Sequence, residues 1–285
     1  MPTDPFPARQ GWLDRKKQYA IANYPETWQR LVADWQDNSG QDALWLSYSA
    51  NYLLHTAGIH WALDPLSLFT RVGQGTQPHF TEDLSPLQLI VLSHNHKDHF
   101  DQELLSDLCS LALTWIVPEF MLDTVNALCR LEKSRVIIPR TGMPLAFGPL
   151  VITPFNAQHS RGEHGMLEMG YLIEFSGKRW LFPGDTRSYD ASALPQFGRL
   201  DGVFAHLWLG KAEALMSAPS LLKDFCQFFN TFDTGRIIIS HLYEYGRDAD
   251  NFWTMQHFRM VKKQLRQFSN RHTISPALMG QKIII

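Results

Sequence analysis

This sequence of 285 residues has few cysteines, nearly balanced charge and no long apolar run. Its three cysteines, Cys109, Cys129 and Cys226, form no C-x-x-C pair, which excludes a cysteine-rich zinc module and a disulfide scaffold. Because all three lie in segments with helical patterning, we expect them to be buried reduced thiols. Basic and acidic side chains nearly balance, at 26 and 28, and so weak a basic footprint argues against a nucleic-acid partner.

Apolar runs are also too short to span a bilayer, since none reaches about 18 residues. The opening residues lack the apolar core of a signal peptide. We therefore predict a cytoplasmic protein without a transmembrane segment. A peripheral membrane contact is the alternative.

Hydrophobic residues nevertheless make up 45% of the chain, which is enough for a substantial core. No repeat, low-complexity segment or long linker divides the sequence. We predict one domain at residues 41–285, with a helical extension at residues 1–40 packed on it.

The extension carries an apolar stripe. Trp28, Leu31, Val32 and Trp35 recur at helical spacing, and Pro25 suits the first turn of such a helix. We expect the stripe to pack on the domain, and a membrane or partner contact is the alternative.

Helix and strand patterns alternate through the rest of the chain. Residues 104–113, 120–131 and 221–229 have helical patterning, whereas Ala57-Gly58 and Ser176-Gly177 are turn signals between short strands. Such alternation is typical of an α/β (α+β) protein in which helices cover mixed sheets.

A dense group of metal-binding side chains follows the apolar stretch 87–92. His94, His96, Asp98 and His99 lie within six residues, where a predicted buried strand gives way to a loop. Imidazole and carboxylate are the ligands that suit zinc and its first-row neighbours. Because imidazoles this close would accumulate positive charge unless they bound metal, the run predicts a metal site rather than structural histidines.

The spacing within this run indicates two ions. His94 and His96 are two residues apart and would point to the same side of an extended backbone. Asp98 and His99 can face a neighbouring position once the turn curls. Two adjacent pairs suit ions about 3.5–4 Å apart, each completed by side chains from elsewhere in the chain.

Later segments repeat the pattern of a polar ligand after an apolar stretch. His159, Asp185 and His241 each come shortly after residues with strand character. Taken singly, the histidines would more often be structural, and Asp185 could be a turn residue. The repetition of one pattern favours ligands instead.

The ordered set H-x-H-x-D-H, a later histidine, a G-D-T turn and a final histidine resembles the metallo-β-lactamase superfamily. The run 93–101 is similar to the branch that contains N-acylphosphatidylethanolamine-hydrolysing phospholipase D and the ascorbate-6-phosphate lactonases. The D-P pair at 64–65 and the A-Q-H triplet at 157–159 resemble two further motifs of that branch. The resemblance spans about residues 43–245 and implies a four-layer αβ/βα sandwich.

The resemblance implies a role for each ligand. One ion would be held by His94, His96 and His159, and the other by Asp98, His99 and His241, with Asp185 bridging both. The cofactors would be two divalent ions, first of all zinc, with manganese or iron as alternatives. Asp98 and Asp185 would be catalytic, since they would hold the ions that lower the pKa of a bridging water toward about 7. Asp64 would orient a ligand histidine without binding metal, and a turn cap is the alternative for it.

Two segments depart from the pattern of the branch. Tyr48 stands where the branch usually has the histidine of a G-H-A/S motif. Residues 242–246 read L-Y-E-Y-G in place of a W/F-G-T-F run. Both segments would lie near the mouth of the site, so they bear on the substrate and leave the metal ligands unchanged.

These features predict a metal-dependent hydrolase, foremost a phosphodiesterase of the phospholipase D-like branch acting on a small-molecule or lipid ester. A lactonase acting on a sugar phosphate is the alternative enzyme, and a metal-binding protein without catalysis is the alternative outside enzymes. Arg161 is either a contact for an anionic substrate, because guanidinium matches phosphate and carboxylate, or an ordinary surface arginine. His164 and Tyr48 are weaker candidates for substrate contact.

Overall fold

The computed structural model describes residues 10–38, 40–162 and 164–285, and all their side chains except that of His164. The strands in chain order are β1 Ala43–Leu46, β2 Tyr52–Thr56, β3 Ile59–Leu63, β4 Leu89–Val91, β5 Thr114–Ile116, β6 Val136–Ile137, β7 Leu145–Phe147, β8 Leu150–Asn156, β9 Ser160–Arg161, β10 His164–Gly165, β11 Met169–Phe175, β12 Lys178–Phe182, β13 Gly202–His206, β14 Arg236–Ser240, β15 Thr273–Pro276 and β16 Lys282–Ile284. The helices are α1 Gln10–Gln36, α2 Leu68–Val72, α3 Phe80–Asp83, α4 Gln102–Leu108, α5 Leu122–Leu128, α6 Leu222–Asn230 and α7 Met255–Phe268.

The strands form two seven-stranded mixed sheets, ordered β16-β1-β2-β3-β4-β5-β6 and β15-β14-β13-β12-β11-β8-β7. In the first sheet, β16, β1, β2 and β3 pair antiparallel, and β3 to β6 run parallel. In the second, β7, β8, β11 and β12 pair antiparallel, and β12 to β15 run parallel. Polar residues that follow the parallel strands therefore lie at their carboxyl ends, where open α/β sheets bind ligands.

Alternating side chains in the central strands define four layers. Leu89 and Val91 of β4 point into the core between the sheets, whereas Ile90 joins an outer core that includes residues of α1, α4 and α5. In β14, Ile238 points inward, and the isoleucines on either side of it pack with residues of α6 and α7. The order is helix, sheet, sheet, helix, so the predicted αβ/βα sandwich is confirmed.

Helix α1 differs from the prediction at its start. We expected Pro25 in the first turn, but the helix runs Gln10–Gln36 with Pro25 inside it, so that expectation is wrong. An interior proline removes one backbone hydrogen bond. Burial of Tyr24, Trp28 and Trp35 in the core beside the first sheet offsets this loss, and the Trp35 indole N–H donates to the Leu54 carbonyl at 3.0 Å. The domain boundary at residue 40 stays a prediction.

No described helix, α1 included, is both long enough and apolar enough to cross a membrane.

The two predicted turns are confirmed. Ala57 and Ser176 have φ of 50°, and the glycines after them, Gly58 and Gly177, have φ of 81° and 73°. Each pair closes a hairpin with two residues at positive φ, a conformation that a glycine adopts without steric cost.

One expectation about the cysteines is wrong. The structure joins Cys109 and Cys129 in a disulfide at the ends of α4 and α5, with Cα atoms 5.9 Å apart, whereas we expected reduced thiols. Helical patterning shows that each segment is a helix but cannot show that the two helix ends meet. The remaining cysteine, Cys226, is buried and free as expected.

Candidate metal centre

The predicted ligands meet at the carboxyl ends of strands from both sheets. These ligands, which we call the ligand cluster, are His94, His96, Asp98, His99, His159, Asp185 and His241. His94 to His99 follow β4, His159 follows β8, Asp185 follows β12 and His241 follows β14. All are buried except His96, which is half-buried. The strand-end pattern in the sequence thus corresponds to one place in the fold.

Within the ligand cluster, two groups of side chains could each hold an ion. His94, His96, His159 and Asp185 offer ligand atoms that all lie within 4.8 Å of one another, and so do Asp98, His99 and His241. Asp185 lies between the groups, with Oδ1 at 3.4 Å from both His99 Nε2 and His241 Nδ1, and Oδ2 at 3.9 Å from His159 Nε2. These two groups correspond to the predicted division, but two further groups, Asp64 with His94 and His99, and Asp185 with His99 and His206, cross it. The assignment of ligands to ions and metal binding by these residues stay predictions.

Unpartnered imidazole nitrogens test whether the ligand cluster suits metal ions. Nε2 of His94, His99 and His159 and Nδ1 of His241 are buried without a hydrogen-bond partner among the described residues. A buried polar atom left unpaired costs about 1–3 kcal/mol. Several such lone pairs beside one carboxylate match the donor set of a transition-metal ion, so the residues fit the implied metals.

Two buried carboxylates lie behind the imidazoles. Asp64 Oδ2 is 3.0 Å from Nδ1 of His99, and its Oδ1 accepts the Ser93 N–H at 2.7 Å. Glu168 lies 3.3 Å from Nδ1 of His94 and 2.8 Å from Nδ1 of His159. A carboxylate on Nδ1 fixes the tautomer whose Nε2 lone pair is free to bind metal. Asp64 is thus where the predicted orienting role requires it.

Sequence reasoning missed Glu168 and His206. Glu168 precedes strand β11 instead of ending a strand, so the pattern that marked the other residues does not mark it. His206 ends the buried strand β13, and the strand-end pattern could have found it. Its Nδ1 lies 2.9 Å from Asp185 Oδ1, and its Nε2 lies 3.0 Å from the Tyr52 hydroxyl. His206 therefore contacts the same Asp185 oxygen as His99, and the two rings stack with centroids 5.6 Å apart.

Burial and neighbouring charges set the protonation of the ligand cluster. Burial, together with the nearby His94 and His159, lowers the pKa of His96 to about 4. Burial also lowers the pKa of His241 to about 4, although Asp185 opposes the change. Burial alone would raise the pKa of Asp185, but His241 and His99 hold it well below its usual range. His96 and His241 are thus neutral beside an ionised Asp185, the forms that bind a divalent cation. His99 differs: burial alone would lower its pKa, but Asp185 and Asp64 hold that pKa well above its usual range.

Two residues of the site have backbones in the left-handed region. Asp64 has φ of 46° and His241 has φ of 64°. For residues other than glycine this conformation costs on the order of 1–3 kcal/mol, and such strain concentrates at functional sites. Packing of the surrounding strands therefore holds both residues in a backbone conformation that is unfavourable for them locally.

A cavity of about 1030 Å³ opens onto the ligand cluster, and His96 and Asp98 form part of its wall. Its basic lining side chains, which we call the cationic rim, are Arg71, Lys97, Arg161, Arg187, Lys211 and Arg247. Among the described residues, no carboxylate forms an ion pair with Lys97, Arg161, Arg187 or Lys211. Asp98, Glu213 and Asp248 also line the cavity. Because basic side chains outnumber these acidic ones, the cavity favours a negatively charged ligand.

The three residues predicted to contact substrate differ in their position relative to the cavity. Arg161 lines the cavity and donates to the Arg187 carbonyl at 3.2 Å. Tyr48 does not line it: this side chain is buried, and its hydroxyl donates to Glu244 Oε1 at 3.0 Å. The buried position of Tyr48 therefore does not support the predicted contact with substrate. The side chain of His164 lies outside the described atoms.

Comparisons with known proteins agree with this architecture. Residues 63–242 match the family described as Beta-lactamase superfamily domain. N-acyl-phosphatidylethanolamine-hydrolyzing phospholipase D 1 of Caenorhabditis elegans is 28% identical over 182 residues, an alignment covering 54% of this chain and 49% of that protein. This chain thus spans about half the length of the curated relative it matches.

Solved structures share the fold at low identity. The metallo hydrolase Igni18 of Ignicoccus hospitalis has a TM-score of 0.63 at 13% identity, covering 86% of this chain and 99% of that one. The di-iron β-hydroxylase CmlA of Streptomyces venezuelae has a TM-score of 0.62 at 15% identity, covering 87% of this chain and 55% of that one. At these identities the likeness concerns the fold alone.

Proposed function

The chain belongs to the β-lactamase superfamily, as its motifs predicted, and we propose that it is a metal-dependent hydrolase that cleaves a phosphodiester. One observation carries the proposal: buried imidazole nitrogens without partners converge beside Asp185 at the end of a cavity whose rim is cationic. Metal ligands alone would suit many hydrolysed bonds. The cationic rim narrows the choice to a negatively charged substrate.

In this proposal the ligand cluster holds two divalent ions. His94, His96 and His159 would hold one, Asp98, His99 and His241 the other, and Asp185 both. Bound there, such ions would lower the pKa of a water and offset negative charge on the attacked ester. Zinc suits this mixture of imidazole and carboxylate, and manganese or iron are the alternatives that elemental analysis would distinguish.

The protein's own residues would do the remaining work by positioning. Asp64 and Glu168 would hold the ligand imidazoles in the orientation seen in the structure and would favour the tautomer with the proton on Nδ1. Arg161 and Arg187 would hold the anionic part of the substrate, since guanidinium can donate two parallel hydrogen bonds to phosphate. The Arg187 guanidinium lies 5.3 Å from the centre of the Trp208 ring, a contact that limits its freedom before a substrate arrives.

A lactonase acting on a sugar phosphate is the second candidate. Among the described residues, Trp208 and Leu221 are the large apolar ones in the cavity wall, and the others are polar, charged or glycine. A long acyl chain would find few large apolar side chains to pack against there. This favours a compact, hydrophilic anion, whether a phosphodiester or a phosphorylated lactone, over a membrane lipid.

A metal analysis joined to a hydrolysis panel tests the proposal. Protein from metal-replete expression should contain two ions per chain and should hydrolyse bis(p-nitrophenyl) phosphate. A phosphorylated lactone and a phospholipid complete the panel. Folded protein that holds fewer than one ion per chain would contradict the proposal. Turnover of the lactone without the phosphodiester would favour the second candidate.

A further inference from the structure

The two segments that depart from the branch pattern contact each other. The hydroxyl of Tyr48 donates to Glu244 Oε1 at 3.0 Å, across 196 positions of sequence. The same hydroxyl accepts the backbone N–H of Tyr245 at 2.5 Å, and Glu244 Oε1 accepts the Gly246 N–H at 3.0 Å. Tyr48 and Glu244 are each 1% exposed. Tyr48 and Glu244, which lie in the two segments that depart from the branch pattern, therefore form one buried unit at the edge of the site.

This unit binds two arginines of the cationic rim. Arg71 reaches Glu244 with Nε at 2.8 Å from Oε1 and Nη2 at 3.0 Å from Oε2. Arg247 reaches the same carboxylate with Nε at 3.3 Å from Oε2. The single buried carboxylate of Glu244 thus faces two guanidinium groups and cannot neutralise both. The positive charge of Arg247 therefore needs a second acidic partner.

Asp98 of the ligand cluster provides that match. Nη2 of Arg247 is 2.6 Å from Asp98 Oδ2 and 3.2 Å from His241 Nε2. These two residues belong to the group that would hold the second ion. A carboxylate lies behind each group, since Glu168 contacts His94 and His159 of the first and Asp64 contacts His99 of the second. The difference between the groups is the guanidinium of Arg247, which faces the second.

We propose that Arg247, held by Glu244 and Tyr48, makes the second ion position the weaker of the two. This inference rests on the proposed two-ion function. An ion held by Asp98 and His241 would lie beside the guanidinium charge and would share the Asp98 carboxylate with it. Arg247 acts here as a positioning residue that sets ion affinity. The Arg247 side chain also lines the cavity, so an anion that enters can pair with the guanidinium and weaken its contact with Asp98.

Repulsion between the Arg247 guanidinium and the second ion determines that Arg247 weakens ion binding there. Two like charges a few ångströms apart at an effective dielectric of about 20 interact strongly enough to change an affinity by at least about tenfold. Arg247 also orients Asp98, and losing that hydrogen bond would weaken ion binding. The orienting contribution of one charged hydrogen bond is smaller than repulsion from a divalent ion at this range.

The test measures ion retention directly. Metal-replete full-length protein is equilibrated with zinc buffers of decreasing free zinc, and the zinc per chain is determined by elemental analysis. Wild-type protein should release its two ions in separate steps. Arg247→Met, which removes the charge and keeps the length, should hold the more weakly bound ion at least about tenfold more tightly. The tightly held ion should change much less, since among the described residues Arg247 contacts none of His94, His96 and His159.

Two further variants separate charge from packing. Arg247→Lys keeps the positive charge and should release ions as wild type does. Arg247→Gln keeps a hydrogen-bond donor without charge, so it carries the same test if Arg247→Met does not fold. An unchanged or weaker second ion in the folded neutral variants would overturn the inference. So would release of both wild-type ions in a single step, although the proposed function would then still stand. Wild-type protein that retains no ion would refute the proposed function itself.

Discussion

The ligand cluster and the cationic rim are neighbours in space but differ in charge, burial and the way the fold holds them. The ligand cluster and the carboxylates around it are buried, and strand ends position most of them. The rim side chains are exposed or half-buried and come mainly from loops. In the proposed function this contrast corresponds to two tasks: strand ends would provide the rigidity that metal binding needs, and loops would provide the charge that selects a substrate. Changes in the ligand cluster should affect every substrate, and changes in the rim only charged ones.

The largest effect is expected at Asp185. Asp185→Asn keeps the volume but removes the negative charge shared by both ion positions, so hydrolysis of every substrate should fall by at least about 10²-fold. Rates with a phosphodiester and a neutral lactone, together with ions per chain, would measure this. Asp233→Asn, at an exposed position away from the site, is the matched control. Wild-type rates at full metal occupancy would remove Asp185 from its role.

Glu168 should produce the next largest effect. Glu168→Gln removes the carboxylate behind His94 and His159, and loss of such a partner lowers metal affinity by roughly 10–100-fold. The change should fall on the first ion and leave the second nearly as it was. Zinc retention in buffered zinc solutions is the measurement, and Glu174→Gln, at a half-exposed ion pair, is the control. Equal weakening of both ions would contradict the division into two groups.

Arg161 tests the rim. Arg161→Ala should lower kcat/KM for an anionic substrate by about tenfold, near the lower end for a hydrogen bond to a charged group because the side chain is exposed. A neutral lactone should be hydrolysed almost as before. Arg199→Ala, another exposed arginine, serves as the control. Equal losses on both substrates would show that Arg161 has a structural role instead.

Ionic strength should give the smallest effect and the simplest comparison. Exposed charges are screened over about 8–10 Å at physiological salt, so KM for an anionic substrate should rise several-fold between low and moderate salt. Buried charges in the ligand cluster are screened much less, so kcat and ion content should hardly change. Steady-state kinetics across a salt series measure both. A salt effect on kcat with KM constant would place the sensitive charges in the buried site.

Local patterns in the sequence were sufficient for much of this architecture. The predicted strands and the two hairpin turns follow from alternation and turn residues, and the ligand cluster follows from His and Asp placed after apolar stretches. The layer order came from the resemblance to the superfamily, since alternation alone does not establish it. The superfamily match agrees with the fold expected from those motifs. Local patterning was insufficient where packing overrides it. Pro25 lies inside α1 because the helix buries an aromatic face, and Cys109 meets Cys129 because two helix ends converge.

The sequence by itself determined which residues end the strands and in what order, because burial of alternate side chains is a property of each strand. Only the tertiary structure decided what surrounds those ends. Glu168 precedes a strand, and Arg247 lies in a loop, so neither has a local signature. The contact of Tyr48 with Glu244 joins residues 196 positions apart. Such contacts exist only once the two sheets have packed, since packing brings loops from distant parts of the chain to the same edge.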